Sequence, residues 1–477
     1  MLRRPACCGH LTAMSQWCGS IPTMIASRRQ SLKHGPGRLV VDGRDQTVVR
    51  KATFAFKPSR KHAVALHGLL RISREVYNTA LQERRDAYRL AGKTIRWQEQ
   101  FNQITHLKGV RDDALVYGIQ PLRGAIMRVD EAMQAFFDRV ELGQTPGFPR
   151  FRGAARFNTA MWDEPTSWKL LEDRRTLRIQ GVGYIRLPKS AARQVGRMLG
   201  KGGRPVTLTV TRRRSGPKHL NRWVWRATVA FNDVAVEPTT PTEGEDSLVG
   251  ADRGIKVTAA TSTGQMLIMP RYVAAQREHQ VELERAQARC VKFSREWRRL
   301  SRHIARGRRK AAAQTDNWAR EQAAVLVAGY GVLAVEDLEL RNMTRSARGT
   351  VEDPGSNVAA KQGLNRELQD AALGKLATRI CVKAESAGRR VWMVRPENTS
   401  RRCSQCGHTD KRNRPDQATF CCTSCSHEAN ADTNAAVNIA ARGQQAELTW
   451  QQAGAPPLPR RKSRRRPRKD PKPAQAG

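Results

Sequence analysis

Four cysteines stand as two CxxC pairs in CSQCGHTDKRNRPDQATFCCTSC, at Cys403, Cys406, Cys422 and Cys425, with fifteen residues between the pairs. That spacing offers four thiolates to one tetrahedral zinc ion, and a site closed by four protein ligands has a structural role. Cys421 is left over, because only Cys422 has a cysteine three residues on; His408 and His427 are alternative ligands. Three carboxylates stand out by position. Asp252 interrupts the apolar run LVGADRGIKVTAA, Glu336 ends the run YGVLAVE, and Asp432 lies in the first turn of the helical stretch DTNAAVNIAARG. A carboxylate at the end of a central strand is costly to bury without a partner. Mg²⁺ meets that need, because it takes carboxylate and substrate phosphate oxygens together. Two such ions about 3.5–4 Å apart would activate a water and stabilise the leaving oxygen of a phosphodiester. Each acid also has a plainer reading. Asp432 could cap its helix, Asp252 could pair with Arg253, and Asp337 rather than Glu336 could face inward, since neighbours on a strand point to opposite sides.

These groups need a scaffold, and the pattern supplies one. VVRKATFAF (48–56) alternates as a strand, and from about Lys61 to Val140 the period becomes helical. GQTPGFPRFRG (143–153) is a Gly/Pro break, followed by strands in YIRL, PVTLTVTRR and RWVWRATVAF that suit a small barrel or sandwich. The Pro/Thr/acidic stretch 232–246 reads as a domain boundary. A strand containing Asp252 comes next. A long helical stretch follows, whose Leu283, Ala286, Cys290, Phe293, Trp297, Leu300 and Ile304 form one apolar seam. A buried strand ending at Glu336, an amphipathic helix and the strand RRVWMV complete an alternating α/β segment.

Composition limits the partners. A formal charge of +42 over 477 residues points to phosphate-rich polymers. No apolar run reaches the roughly 20 residues of a spanning helix. The first twenty residues lack a sustained apolar core, which argues against a signal peptide. Cysteines used in a ribbon imply a reducing compartment, so the expected location is the cytoplasm.

In order and spacing, GADRGIKVTAATSTG, LAVEDLELRNMTRSARGTVEDPG, the cysteine ribbon and ADTNAAVNIAA resemble the TnpB proteins of bacterial insertion sequences. Those proteins are RNA-guided endonucleases and relatives of compact type V CRISPR effectors. The resemblance covers about residues 47–443, including YNTALQERRDAY and DEAMQAFFDRVELGQTPGFPRFRG. It implies an α/β multidomain protein: a RuvC-like (RNase H-type) nuclease with an inserted four-cysteine zinc ribbon, and a split β-barrel wedge domain with an inserted helical recognition domain. The expected order is a disordered arm (1–46), wedge (47–60), helical domain (61–140), wedge (141–245), nuclease (246–402), ribbon (403–426), nuclease (427–445) and a disordered basic tail (446–477).

The resemblance also implies Asp252, Glu336 and Asp432 as catalytic ligands of two Mg²⁺ ions, one structural Zn²⁺, a guide RNA and target double-stranded DNA. Arg253 stands where many members carry an apolar residue. Candidate contacts to nucleic acid are Tyr77 and Asn78 toward the duplex beside the target, with Tyr77 equally readable as helix core. Arg150, Arg152, Arg212, Arg213 and Arg214 are candidates toward the RNA backbone. The alternatives are an RNA-guided DNA-binding regulator that does not cut, which the presence of all three acids disfavours, and a strand-joining transposase component. The latter would call for a nucleophile such as a tyrosine in a His-rich setting, and none of the six tyrosines has one.

Overall fold

Strands β1 (Gly37–Val41) and β2 (Thr47–Phe56) lie a short turn apart in the chain yet join different sheets. The computed structural model describes residues 36–456 apart from 108–109, 142, 144–145, 215–222, 348 and 350–353. Its contacts divide the chain into two units, one of residues 45–237 and 276–311, the other of the residues up to 44, 238–275 and those from 312 onward.

In the first unit Val48, Ala52, Phe54 and Phe56 of β2 are buried while Val49, Lys51, Thr53 and Ala55 are exposed, the period-2 pattern of a half-buried strand. Helix α1 (Arg60–Ala91) follows at once. Ser59 caps it by accepting from the His62 N–H at 3.3 Å, and Gly92, at φ 61°, ends it in the left-handed conformation. Leu66, Leu69, Leu70, Tyr77 and Leu81 bury its inner face, and Arg84 pairs with Asp130 of α2 (Gln120–Glu141) at 3.2 Å. The chain then returns through β3 (Thr159–Trp162), β4 (Arg204–Arg214) and β5 (Trp223–Ala235). These form an antiparallel sheet in the order β2-β5-β4-β3, so the helices are inserted into one sheet. A separate three-stranded sheet comprises 168–170, 176–179 and 183–186. Where the sequence suits a small barrel or sandwich, the described residues form this four-stranded sheet. Among the described residues β2 and β3 are its edges, and the four residues of β3 pair only with β4.

The seam expected along one helical stretch is folded in two. Helix α3 (Arg277–Arg289) stops at Cys290, Phe293 takes φ 73°, and α4 (Arg295–Gly329) runs back. Arg308 pairs with Glu284 at 2.7 Å, and the Gln287 side chain bonds Ser301 and the Trp297 carbonyl. This corrects the single nuclease segment 246–402, because residues 276–311 cluster with the first unit.

The second unit is built on a six-stranded sheet in the order β1-β10-β9-β6-β7-β8. Its strands are β6 (Leu248–Asp252), β7 (Ala259–Thr261), β8 (Met266–Leu267), β9 (Val332–Glu336) and β10 (Arg390–Val394), with β1 added at one edge. β6, β9 and β10 are parallel, and β9 between them is buried at all five residues. The expected strand through Asp252 ends there; the chain breaks and returns antiparallel as β7.

Helices cover both faces. Leu333 and Val335 pack with Trp318, Ala323 and Leu326 of α4 and with Leu376 and Ile380 of α5 (Leu373–Ala387). Val332 and Ala334 point the other way, to Ile439 and Ala446 of α6 (Ala431–Gln452). Between β10 and α6 lies the cysteine segment with its hairpin, β11 (Thr419–Cys421) and β12 (Glu428–Asn430).

Two expectations of disorder are corrected. Residues 37–41 of the arm form β1, paired antiparallel to β10. The helix α6 runs through 446–452, where the Trp392 indole donates to Glu447 at 2.6 Å and Trp450 packs edge-on to Trp392. The rest of the arm, 1–35, and the tail from 457 lie outside the described residues. No helix among the described residues is long and apolar enough to cross a membrane.

Candidate active site and metal centre

The alternation that packs the sheet also aims its acids. Leu248, Gly250 and Asp252 share one face of β6, and Val332, Ala334 and Glu336 share the same face of the parallel neighbour β9. That face carries α6, whose backbone comes so close that a Cβ on Gly250 would stand 2.2 Å from the Ala436 carbonyl oxygen. Gly443 sits equally tightly, with its missing Cβ 2.5 Å from that of Ala334. The register pairs Ala251 with Val335, so the two strands end side by side at Asp252 and Glu336. The first turn of α6 adds Asp432.

Electrostatics records the convergence. Burial, then the charges of Glu336 and Asp432, raises the Asp252 carboxyl to about 7. Burial likewise raises Glu336, against the pull of its hydrogen bond from Thr399. Asp337 lies on the opposite side of β9, exposed and paired with Arg38 at 3.0 Å, so Glu336 is the inward acid. Asn430, not Asp432, caps α6, accepting from the N–H groups of Asp432 and Thr433. Asp432 is therefore free to accept from Arg414 at 2.9 Å.

Arg414 and Thr399, which donates to Glu336 Oε1 at 2.5 Å, are site residues that sequence reasoning missed. Arg253 turns into the core instead of pairing with Asp252. Its guanidinium donates to the carbonyls of Leu373 and Glu336 and ties the ends of two elements.

The cysteines form a tighter group. Sγ atoms of Cys403, Cys406, Cys422 and Cys425 all lie within 4.8 Å of one another, the one such cluster of His, Cys, Asp or Glu among the described residues. The three carboxylates influence one another without being drawn to that separation. Cys403 and Cys425 are 3.7 Å apart and Cys406 and Cys422 3.6 Å. Zinc–sulfur bonds of about 2.3 Å in a tetrahedron set sulfurs roughly 3.8 Å apart, so the donor set fits zinc.

Two matching knuckles hold it. The Cys403 N–H donates to the His408 carbonyl and Gly407 N–H to the Cys403 carbonyl; Cys422 with His427, and Ser426 with Cys422, repeat the pattern. Gly407 and Ser426 both take positive φ, 77° and 58°. Backbone N–H groups of Cys425 and Ser424 lower the Cys422 thiol to about 6. Asn413, fully buried, clasps the two knuckles by donating to the carbonyls of Arg401 and His408 and accepting from the N–H and hydroxyl of Thr423. Cys421 points to Glu428, outside the cluster, and neither His408 nor His427 enters it.

The candidate nucleic-acid contacts divide. Tyr77 is a core residue, 1% exposed and packed on Phe157, which corrects its placement toward a duplex. Asn78 is occupied with the backbone of Arg152, donating to its carbonyl and accepting from its N–H. The Arg152 guanidinium lies over the Tyr77 ring. Arg212 donates to Asn158 and the Ala154 carbonyl, meets His67 and stacks 4.3 Å over Trp223. Arg214 joins the same ring from 5.2 Å. Only Arg150 and Arg213 of this set are largely exposed.

Comparison with known proteins falls on the same residues. The profile of OrfB_IS605, described as "Probable transposase", matches residues 232–347 and so includes Asp252 and Glu336. That of "Cas12f1-like, TNB domain" matches residues 374–439, including the four cysteines and Asp432. Over 396 residues the chain is 28% identical to the Escherichia coli (strain K12) protein named as an RNA-guided DNA endonuclease, InsQ, covering 82% of this chain and 91% of that one. Over 112 residues it is 41% identical to the CRISPR-associated endodeoxyribonuclease Cas12f1 of Sulfoacidibacillus thermotolerans, 24% of this chain and 22% of that. The fold is similar to that in a cryo-EM structure of a Cas12f1–sgRNA–target DNA complex, with TM-score 0.52 at 12% identity over 83% of this chain and 99% of that one.

Proposed function

From the premise that this chain belongs to the TnpB family of insertion-sequence proteins, we propose that it is an RNA-guided DNA endonuclease. It hydrolyses DNA phosphodiesters at sites chosen by guide-RNA pairing beside a short adjacent motif. One observation carries the reading: the ends of two adjacent parallel strands and the first turn of α6 bring Asp252, Glu336 and Asp432 to one end of the sheet. Crevices at the carboxyl ends of parallel strands are the usual place for a site in an open α/β sheet.

In this reading the unit with the six-stranded sheet is a RuvC-like, RNase H-type nuclease interrupted by a structural zinc ribbon. The unit with α1 and α2 inserted into its sheet is the wedge and recognition part.

Asp252, Glu336 and Asp432 are the residues that would hold Mg²⁺, two ions in all. Two buried acids whose carboxyls are raised make a donor set that divalent cations complete. Bound there, the ions would generate a nucleophilic water and stabilise charge on the leaving oxygen. The protein's own groups do the rest. Thr399 fixes one oxygen of Glu336, and Arg414 sets a positive charge beside Asp432, where an approaching phosphate would meet it. The charge of +42 draws the polyanions of guide RNA and target double-stranded DNA without reading their sequence. Arg150 and Arg213 are the exposed candidates for the RNA backbone. Such a protein works in the bacterial cytoplasm at the nucleoid.

The test uses the RNA-loaded protein with Mg²⁺. Asp252→Ala, Glu336→Ala and Asp432→Ala should each abolish cleavage and leave guided DNA binding intact. Site-specific cutting by protein stripped of RNA would overturn the guidance. Normal cutting by Glu336→Ala, with loss in Asp337→Ala, would overturn the choice of acids.

A further inference from the structure

The segment 399–404 touches both the acidic cluster and the cysteine cluster. At one end the buried Thr399 hydroxyl lies 2.5 Å from Glu336 Oε1 and 3.1 Å from the Pro396 carbonyl, and with a single proton to give it favours the shorter, charged partner. At the other end Cys403 is one of the four gathered thiols.

Between them the segment is held by two asparagines one turn apart on α6. Asn438 donates to the carbonyls of Thr399 and Arg402 at 2.9 and 2.7 Å. Asn434 donates to the Arg402 carbonyl at 2.9 Å and accepts from the Ser404 N–H at 3.0 Å, bracketing Cys403. Both asparagines are buried on the side of α6 that meets segment 399–404, among alanines. A polar side chain there costs stability unless every group is paired, and here the amides are matched to one stretch of backbone.

We propose that Thr399 is a positioning residue for the Glu336 carboxylate, and that segment 399–404, clamped to α6 by Asn434 and Asn438, transmits the state of the cysteine centre to that carboxylate. The inference rests on the proposed role of Glu336. With zinc bound, Cys403 would hold Arg402 and Ser404 in place, the clamp would carry that order to Thr399, and the hydroxyl would fix one oxygen of Glu336 in a set rotamer. Groups that orient a metal-holding carboxylate change metal affinity when removed, typically by about 10- to 100-fold.

Two measurements test it. In the RNA-loaded protein, Thr399→Val keeps the shape and removes the donor; the Mg²⁺ concentration for half-maximal cleavage should rise about tenfold or more, while Thr399→Ser should match the parent. Guided DNA binding and melting temperature, read alongside, establish that the variants fold. Independently of activity, hydrogen exchange on the unmutated protein should show amides 399–404 losing protection when zinc is removed, while those of β9 keep theirs.

A parental Mg²⁺ dependence in Thr399→Val, beside an inactive Glu336→Ala, would refute the positioning role and leave the proposed function standing. Full activity of Glu336→Ala would refute the function itself. Unchanged exchange at 399–404 after zinc removal would refute the path.

Discussion

The cysteine cluster and the carboxylate cluster are built in opposite ways. All four thiols come from Cys403–Cys425 and are gathered by two short knuckles whose hydrogen bonds are local. The carboxylates come from positions as far apart as Asp252 and Asp432 and meet only because a helix lies tightly on a sheet. The first geometry is written in a spacing, the second in packing. A site of the first kind fails when a ligand is lost; one of the second kind can also fail through residues that touch no substrate.

The largest effect should come from the local site. Cys422→Ser should cost the protein its zinc and, with it, the order of the ribbon, since structural zinc contributes about 10 kcal/mol or more to the fold it closes. Cys421→Ser, outside the cluster, should keep a full zinc by metal analysis. Equal zinc content in both would break the contrast at its root.

Next is Gly250→Ala. The added methyl would stand 2.2 Å from the backbone carbonyl oxygen of Ala436, which cannot swing aside as a side chain could, and should destabilise by about 3 kcal/mol in urea unfolding, with cleavage falling alongside. Gly363→Ala, in an open helical position, should be neutral or mildly stabilising.

A smaller effect follows from pH. Because Asp252 is raised to about 7, the folded protein keeps a proton that the unfolded chain releases near pH 4. Its contribution to stability is therefore lost as pH rises toward 7. In magnesium-free buffer that leaves zinc in place, Asp252→Asn should stabilise by on the order of 2 kcal/mol at about pH 8 and hardly at all at about pH 4. Added Mg²⁺ should stabilise the parent and not the variant. The smallest effect is Asp337→Ala, which breaks an exposed pair and should shift stability by less than about 1 kcal/mol without touching cleavage.

This contrast also explains what was legible in the sequence. Both CxxC pairs and the three acids were readable, the former from spacing and the latter from where apolar runs end. Which of Glu336 and Asp337 faces inward was not, because a period of two is indifferent to the choice until α6 selects a face. Asp432 looked like a cap because Asn430, two residues earlier, could not be weighed against it without backbone angles. β1 escaped notice as five residues without alternation, whose partner lies at the far end of the chain.

Arg414 and Thr399 left no signal, since their partners are reached only through folding. Asn434 and Asn438 did leave one. Two amides four residues apart on the inward face of an alanine-rich helix are out of place unless they have work to do with backbone. Tyr77 shows the converse, an aromatic readable either as helix core or as a contact to nucleic acid, which the fold buries against Phe157.

The close seat of α6 has a consequence in time. Helix α6 is the last of the described elements to be synthesised, and it carries Asp432, the clamp on 399–404 and the cover for one face of the sheet. On the ribosome, β6, β9 and β10 emerge long before it, and their α6-facing residues stay uncovered until the ribbon and helix follow. A nascent chain bearing much of the positive charge can already attract RNA, yet it has no completed acidic cluster. Affinity for nucleic acid therefore matures before the capacity to cut it.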